Sequence, residues 1–174
     1  VARGAMAGVG DRGDILMTGG DLGTQGGPQV SPETYRKVIK PRHARFFRQV
    51  REMCPHAKIF FHTCGSVYLL LPDLIDVGVE ILNPVQVPAR DMDPVRLKKE
   101  YGDKFTFWVA IDTQQVLPTG TVEDVKAEVE RRIAQLGSGG GNVLCGVHNL
   151  HPSLPTGEVL TVNETARQSG SYPL

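Results

Sequence analysis

The sequence has no excess of charge of either sign: 19 Lys and Arg face 19 Asp and Glu, for a formal net charge of zero. Without a net field to gather polyanions, nucleic acid is not an expected partner, and a small molecule is. Cysteine is scarce. Cys54, Cys64 and Cys145 are odd in number and widely spaced, which excludes a disulfide framework and points to a reducing compartment, so the expected location is the cytoplasm. No apolar run approaches the roughly 18 residues that span a bilayer, so no membrane segment is expected. Val1-Ala2-Arg3-Gly4 has neither an initiator Met nor a signal-peptide pattern, as in a processed or excerpted chain. What is present, 40% hydrophobic and 22% charged residues over 174 positions, matches one soluble globular domain.

A glycine fingerprint for dinucleotides is also missing. Gly19-Gly20-Asp21-Leu22-Gly23 lacks the required spacing and leads through Thr24-Gln25 to a proline rather than into a helix. Five short apolar runs are present, at residues 14–18, 57–62, 79–84, 105–111 and 142–147, each expected to be a buried strand. Ile59-Phe60-Phe61 and Phe105-Thr106-Phe107-Trp108-Val109 are continuous rather than alternating, the pattern of a parallel sheet covered on both faces. Segments of helical period lie between the runs. Ser31-Pro32-Glu33 opens a long helix to about Met53, and Thr121-Val122-Glu123-Asp124 opens another to about Leu136. Strand then helix, repeated, gives an α/β fold of (β/α)8 TIM-barrel type, preferred to the open doubly wound sheet because the fingerprint is absent. A complete barrel takes about 250 residues. Residues 1–174 are therefore expected to be a single domain holding the C-terminal part, about five βα units, with roughly three strands' worth of chain ahead of Val1 missing.

Every run ends in polar residues, where such barrels build their active sites. These are Asp21 with Gln25, His62 with Cys64, Asn83 with Gln86, Asp112 with Gln114 and Gln115, and finally Cys145, His148 and Asn149. The sharpest is His62-Thr63-Cys64: on a continuing strand, side chains two apart share a side, so imidazole and sulfur converge on one ion, and Gly65 lets the chain turn. Zinc accepts both ligand types, and a catalytic site uses three protein ligands and leaves a fourth position open. His148 or Cys145 is the candidate third ligand. The plain alternative is that Cys64 is a small apolar filler. Asp112 is an acid, a base, a ligand orienter or a turn aspartate, and Asp21 a ligand contact or an Asx turn. His43, His56 and His151 read as structural or solvated, Cys54 as a helix-end residue, and Arg42, Arg45, Arg48 and Arg51 as a solvated helix stripe.

Gly20-Asp21-Leu22-Gly23-Thr24-Gln25, Ser31-Pro32-Glu33, Phe61-His62-Thr63-Cys64-Gly65-Ser66-Val67, Ile81-Leu82-Asn83-Pro84-Val85-Gln86, Ile111-Asp112-Thr113-Gln114 and Val147-His148-Asn149-Leu150 together resemble the uroporphyrinogen decarboxylase superfamily over nearly the whole chain. That superfamily holds metal-independent tetrapyrrole decarboxylases and zinc-dependent methyltransferases that move a methyl group between a corrinoid and a thiol. The methyltransferases carry His-x-Cys after a middle strand and a further cysteine after the last; His62 and Cys64 match the first two. At the third position this chain has His148, with Cys145 three residues earlier, and a histidine there is also what the decarboxylases carry, to bind substrate carboxylates. The decarboxylases as a rule lack His-x-Cys.

The resemblance therefore implies a zinc methyltransferase: His62, Cys64 and His148 hold the metal, Asp112 orients a ligand, and Asp21, Gln25, Asn83, Gln86, Gln114 and Asn149 contact substrate. A methylcorrinoid is the implied co-substrate and a corrinoid protein the implied partner. The alternatives are a metal-independent uroporphyrinogen decarboxylase, and an inactive half-barrel or interaction module that closes its sheet against another copy as a homo-oligomer.

Overall fold

A computed structural model describes residues 4, 8, 12–112, 116–146, 154–172 and 174. Five strands, β1 (Ile15–Gly19), β4 (Lys58–His62), β5 (Ile81–Asn83), β6 (Thr106–Ile111) and β7 (Asn142–Gly146), form one sheet in that order, and every pairing is parallel. Two short strands, β2 (Gly23–Thr24) and β3 (Gly27–Pro28), make an antiparallel hairpin just beyond β1. Each long strand pairs with the next long strand in the chain, so the winding never reverses and the sheet lacks the switch point of a doubly wound fold. The architecture is α/β of the (β/α)-barrel type, seen as five consecutive strand units. All five strands overlap the apolar runs that the sequence picks out.

The helices start where local chemistry supplies a cap. The Ser31 hydroxyl accepts from the Thr34 amide at 3.1 Å and Pro32 takes the first position of α1 (Pro32–Thr34). The chain then widens into a π-helical stretch (Tyr35–Ile39) and continues as α2 (Lys40–Met53), which ends at Cys54. A 3-10 turn (Tyr68–Leu70) leads into α3 (Leu71–Asp76), Asp93 caps α4 (Pro94–Tyr101), and α5 (Val116–Thr119) is one turn long. α6 (Val122–Leu136) opens on a reciprocal capping box between Thr121 and Asp124, as the sequence predicts, and α7 (Thr156–Ser169) follows β7. No helix among the described residues is long and apolar enough to cross a membrane.

Strand side chains divide by face. Ile59, Phe61, Leu82 and Phe107 enter the larger core cluster with Phe47 of α2 and Leu74 of α3, while Ile111 joins Val125, Val129 and Ile133 of α6 in a smaller one. On the opposite face Phe60 and Trp108 meet edge to face, 5.3 Å between ring centres. β1 and β7 lie at the sheet's two edges.

Candidate metal centre

Strand register brings three chain segments to one point. Gly19 of β1 pairs with His62 of β4, and His62 pairs with Asn83 of β5, so the carboxyl ends of three neighbouring strands are level. Asp21 lies two residues past the end of β1 and Cys64 two past the end of β4, which puts carboxylate, imidazole and thiol side by side. One ligand atom from each of Asp21, His62 and Cys64 lies within 4.8 Å of the other two. Cys64 Sγ is 3.4 Å from His62 Nε2, and Asp21 Oδ1 is 3.9 Å from the same nitrogen. Asp21 is exposed and the other two are partly so, which leaves an open side for an incoming molecule.

The loops that carry these groups are tied together by backbone amides, three of which donate to side chains and one to a backbone carbonyl. The Cys64 amide donates to Asp21 Oδ1 at 3.0 Å, and the Leu22 amide donates to the hydroxyl of fully buried Thr63 at 2.9 Å. The Gly65 amide donates to Gln86 Oε1 at 2.7 Å, and the Ser66 amide donates to the Thr24 carbonyl at 2.7 Å. On the ring's other side, His62 Nδ1 is 2.7 Å from Asn83 Oδ1, and Asn83 Nδ2 donates to the Trp108 carbonyl at 3.2 Å.

The electrostatics favour a cation. Burial, then the neighbouring Asp21 carboxylate, holds the Cys64 thiol above its ordinary range, because a thiolate there loses solvation and faces another negative group. A divalent ion between the two reverses that logic, since it is the largest local charge. Cys145 is placed differently: burial pushes its thiol up to about 11, it donates to the Gly146 carbonyl at 3.1 Å, and it is outside the cluster.

Of the other residues singled out in the sequence, Asn83 and Gln86 are buried and bonded to the site's own framework. Gln25 is exposed on the hairpin, its carbonyl accepting from the Arg90 amide at 2.9 Å. Asp112 directly follows β6 and its carbonyl accepts from the Leu117 amide at 3.0 Å. Gln114, Gln115, His148 and Asn149 lie outside the described residues. Asp21 as a cluster member is what the sequence reading did not see. The signal available was strand order: in a sequentially wound parallel sheet, equivalent positions past consecutive strands are neighbours.

A family model described as uroporphyrinogen decarboxylase (URO-D) matches residues 20–169. Two curated relatives, both named methylcobamide:CoM methyltransferase MtaA, one from Methanosarcina barkeri and one from its strain Fusaro / DSM 804, are 29% and 28% identical over 126 residues. Each match covers 71% of this chain and 34% of the relative, so the chain matches about a third of the length of these relatives. A solved structure described as a methyltransferase from Methanosarcina mazei shares the fold, with a TM-score of 0.64 at 20% identity over 89% of this chain and 42% of that one.

Proposed function

The chain belongs to the uroporphyrinogen decarboxylase family, and from that premise we propose that it carries the metal centre of a zinc-dependent methyltransferase that moves a methyl group from a corrinoid to a thiol. The observation that carries this reading is the convergence of Asp21, His62 and Cys64, three donors of the kinds zinc takes, on one partly open point. A tetrapyrrole decarboxylase without a metal has no evident use for a thiol and an imidazole 3.4 Å apart. The named activity of the two curated relatives, a methylcobamide:CoM methyltransferase, supports the same direction.

In this reading His62, Cys64 as its thiolate and Asp21 would hold the ion, while Asp21 Oδ1 accepts from the Cys64 amide and keeps the two loops together. Asp21 thus takes the third position that the resemblance gives to His148. Zinc held there would supply Lewis acidity, lowering the pKa of a substrate thiol so that it ionises near neutral pH. Thr63 ties the Cys64 loop to Leu22 beside the hairpin and Gln86 ties it to the loop after β5, so the donors are ordered before any ion arrives. Asp112 orients a ligand, Gln25, Gln114 and Asn149 contact substrate, a methylcorrinoid is the methyl donor, and a corrinoid protein is the partner that presents it. Residues 1–174 make up the C-terminal part of the barrel.

Elemental analysis of the purified protein after dialysis without chelator tests this. Near-stoichiometric zinc is expected in the wild type and a large loss in Asp21→Ala, His62→Ala and Cys64→Ser, whereas His148→Ala keeps its zinc. A wild type that neither carries zinc nor takes it up on titration overturns the reading and favours a metal-independent decarboxylase. Zinc lost in His148→Ala but kept in Asp21→Ala restores His148 as the third ligand.

A further inference from the structure

The Asn83 side chain makes two contacts, and together they fix which nitrogen of His62 carries hydrogen. The Trp108 carbonyl is an acceptor only, so the Asn83 group 3.2 Å from it must be the NH2 end of the amide. That leaves the amide oxygen facing His62 Nδ1 at 2.7 Å. An oxygen acceptor at that distance requires a hydrogen on Nδ1, and in the neutral ring this makes Nε2 the lone-pair nitrogen. Nε2 is the atom that faces Cys64 Sγ at 3.4 Å.

We infer that Asn83 is a positioning residue whose amide, anchored on the Trp108 carbonyl, locks neutral His62 in the Nδ1–H tautomer and so aims the Nε2 lone pair at the Asp21–Cys64 side of the site. The relay follows from the sheet itself: His62 and Asn83 are register partners on adjacent strands, so their side chains leave the same face at the same level. Trp108 belongs to the next strand, and its backbone carbonyl moves only with the sheet. Asn83 is 8% exposed, so water competes little for either contact. In a solvated neutral histidine side chain Nε2–H is the commoner form, so the lock selects the less common one. Its use for metal binding rests on the zinc reading above; the tautomer itself does not.

The test is long-range proton–nitrogen correlation NMR on metal-free protein with labelled histidine, at a pH where imidazole is neutral. His62 is assigned by its absence in His62→Gln. The expected result is Nδ1–H for His62 in the wild type and in Asn83→Asp, which keeps an oxygen acceptor, and a mixed or Nε2–H ring in Asn83→Leu, with circular dichroism unchanged. A wild-type His62 in the Nε2–H or averaged form overturns the inference, as does an Asn83→Leu protein that keeps the Nδ1–H ring. If Asn83→Leu does not fold, the wild-type and Asn83→Asp spectra decide alone. A zinc titration then separates the two claims. If the metal reading holds, Asn83→Leu binds zinc about 10- to 100-fold more weakly and Asn83→Asp recovers much of the loss. A tautomer lock in a protein that binds no zinc leaves the relay standing and removes only the metal reading.

Discussion

Gly65 sits where the loop after β4 meets the hairpin after β1, with φ at +80°, a conformation that side chains with a Cβ adopt only under strain. A Cβ there would lie 2.5 Å from the Gly23 carbonyl carbon and 2.6 Å from the Thr24 amide nitrogen, both backbone atoms that cannot swing aside. Gly23 has the reciprocal problem, 2.6 Å from the Cys64 carbonyl. The Cys64 loop can therefore close on the Asp21 loop only because neither glycine has a side chain. Gly65→Ala should cost about 1–3 kcal/mol from the backbone conformation alone, with the clash added, and should weaken zinc binding by moving Cys64 away from Asp21. Gly26→Ala is the control: a Cβ at that hairpin position meets nothing within 4 Å, so its urea midpoint and zinc content should match the wild type. Equal losses in both variants would mean that the hairpin as a whole, not the contact at 65, sets the geometry.

Among the elements, what the sequence made legible was whatever depends on neighbours in the chain. The strands begin and end within about two residues of the apolar runs, and the capped helices end at Met53 and Leu136 as expected, because hydrophobic period and capping are local chemistry. The His62–Cys64 pair was legible for the same reason. Asp21 as a third donor and the roles of Asn83 and Gln86 were not, since those depend on which strands are adjacent and level. The β2–β3 hairpin and the π-helical Tyr35–Ile39 were missed because two-residue strands and a widened helical turn leave no periodic trace.

His43 shows the same limit, for its charged helical surroundings suggested solvent or a plain structural role. In the structure it is half-buried, its Nδ1 lies 3.1 Å from the Tyr35 hydroxyl, and its ring packs between Phe47 and Phe61. Burial lowers its pKa below 6.5, and burial with the nearby Asp73 charge raises that of Tyr35 to about 12, so the neutral pair persists through the neutral range. The sign follows directly. Below about 6.5 the unfolded chain takes up a proton that folded His43 resists, so its contribution to stability is complete above that pH and falls as pH drops through and below it. Urea unfolding at stepped pH should show wild-type stability falling more steeply below 6.5 than that of His43→Gln, which offers a hydrogen-bonding group that does not titrate. Parallel curves would assign the acid sensitivity to groups other than His43.

At the scale of the whole molecule, the open sheet sets a testable behaviour. Among the described residues β1 pairs with β4 on one side only, and it carries Ile15 and Met17, 40% and 65% exposed. Met17 is the register partner of Phe60, so it belongs to the face that a closed barrel turns inward. An edge strand with unpaired backbone groups and bare apolar side chains is a template for another chain. Residues 1–174 by themselves should therefore self-associate, and Met17→Lys should shift the sedimentation profile toward the monomer with the circular dichroism spectrum unchanged. The metal centre should be indifferent to that change. Its donors hang on β1, β4 and the loops beyond them, bonded to one another above the carboxyl ends of the strands, whereas position 17 lies two residues below the end of β1. Zinc content equal to wild type in a monomeric Met17→Lys protein would show that three level strands suffice to build the site, and zinc lost along with the association would show that the ion depends on the surface that joins the copies.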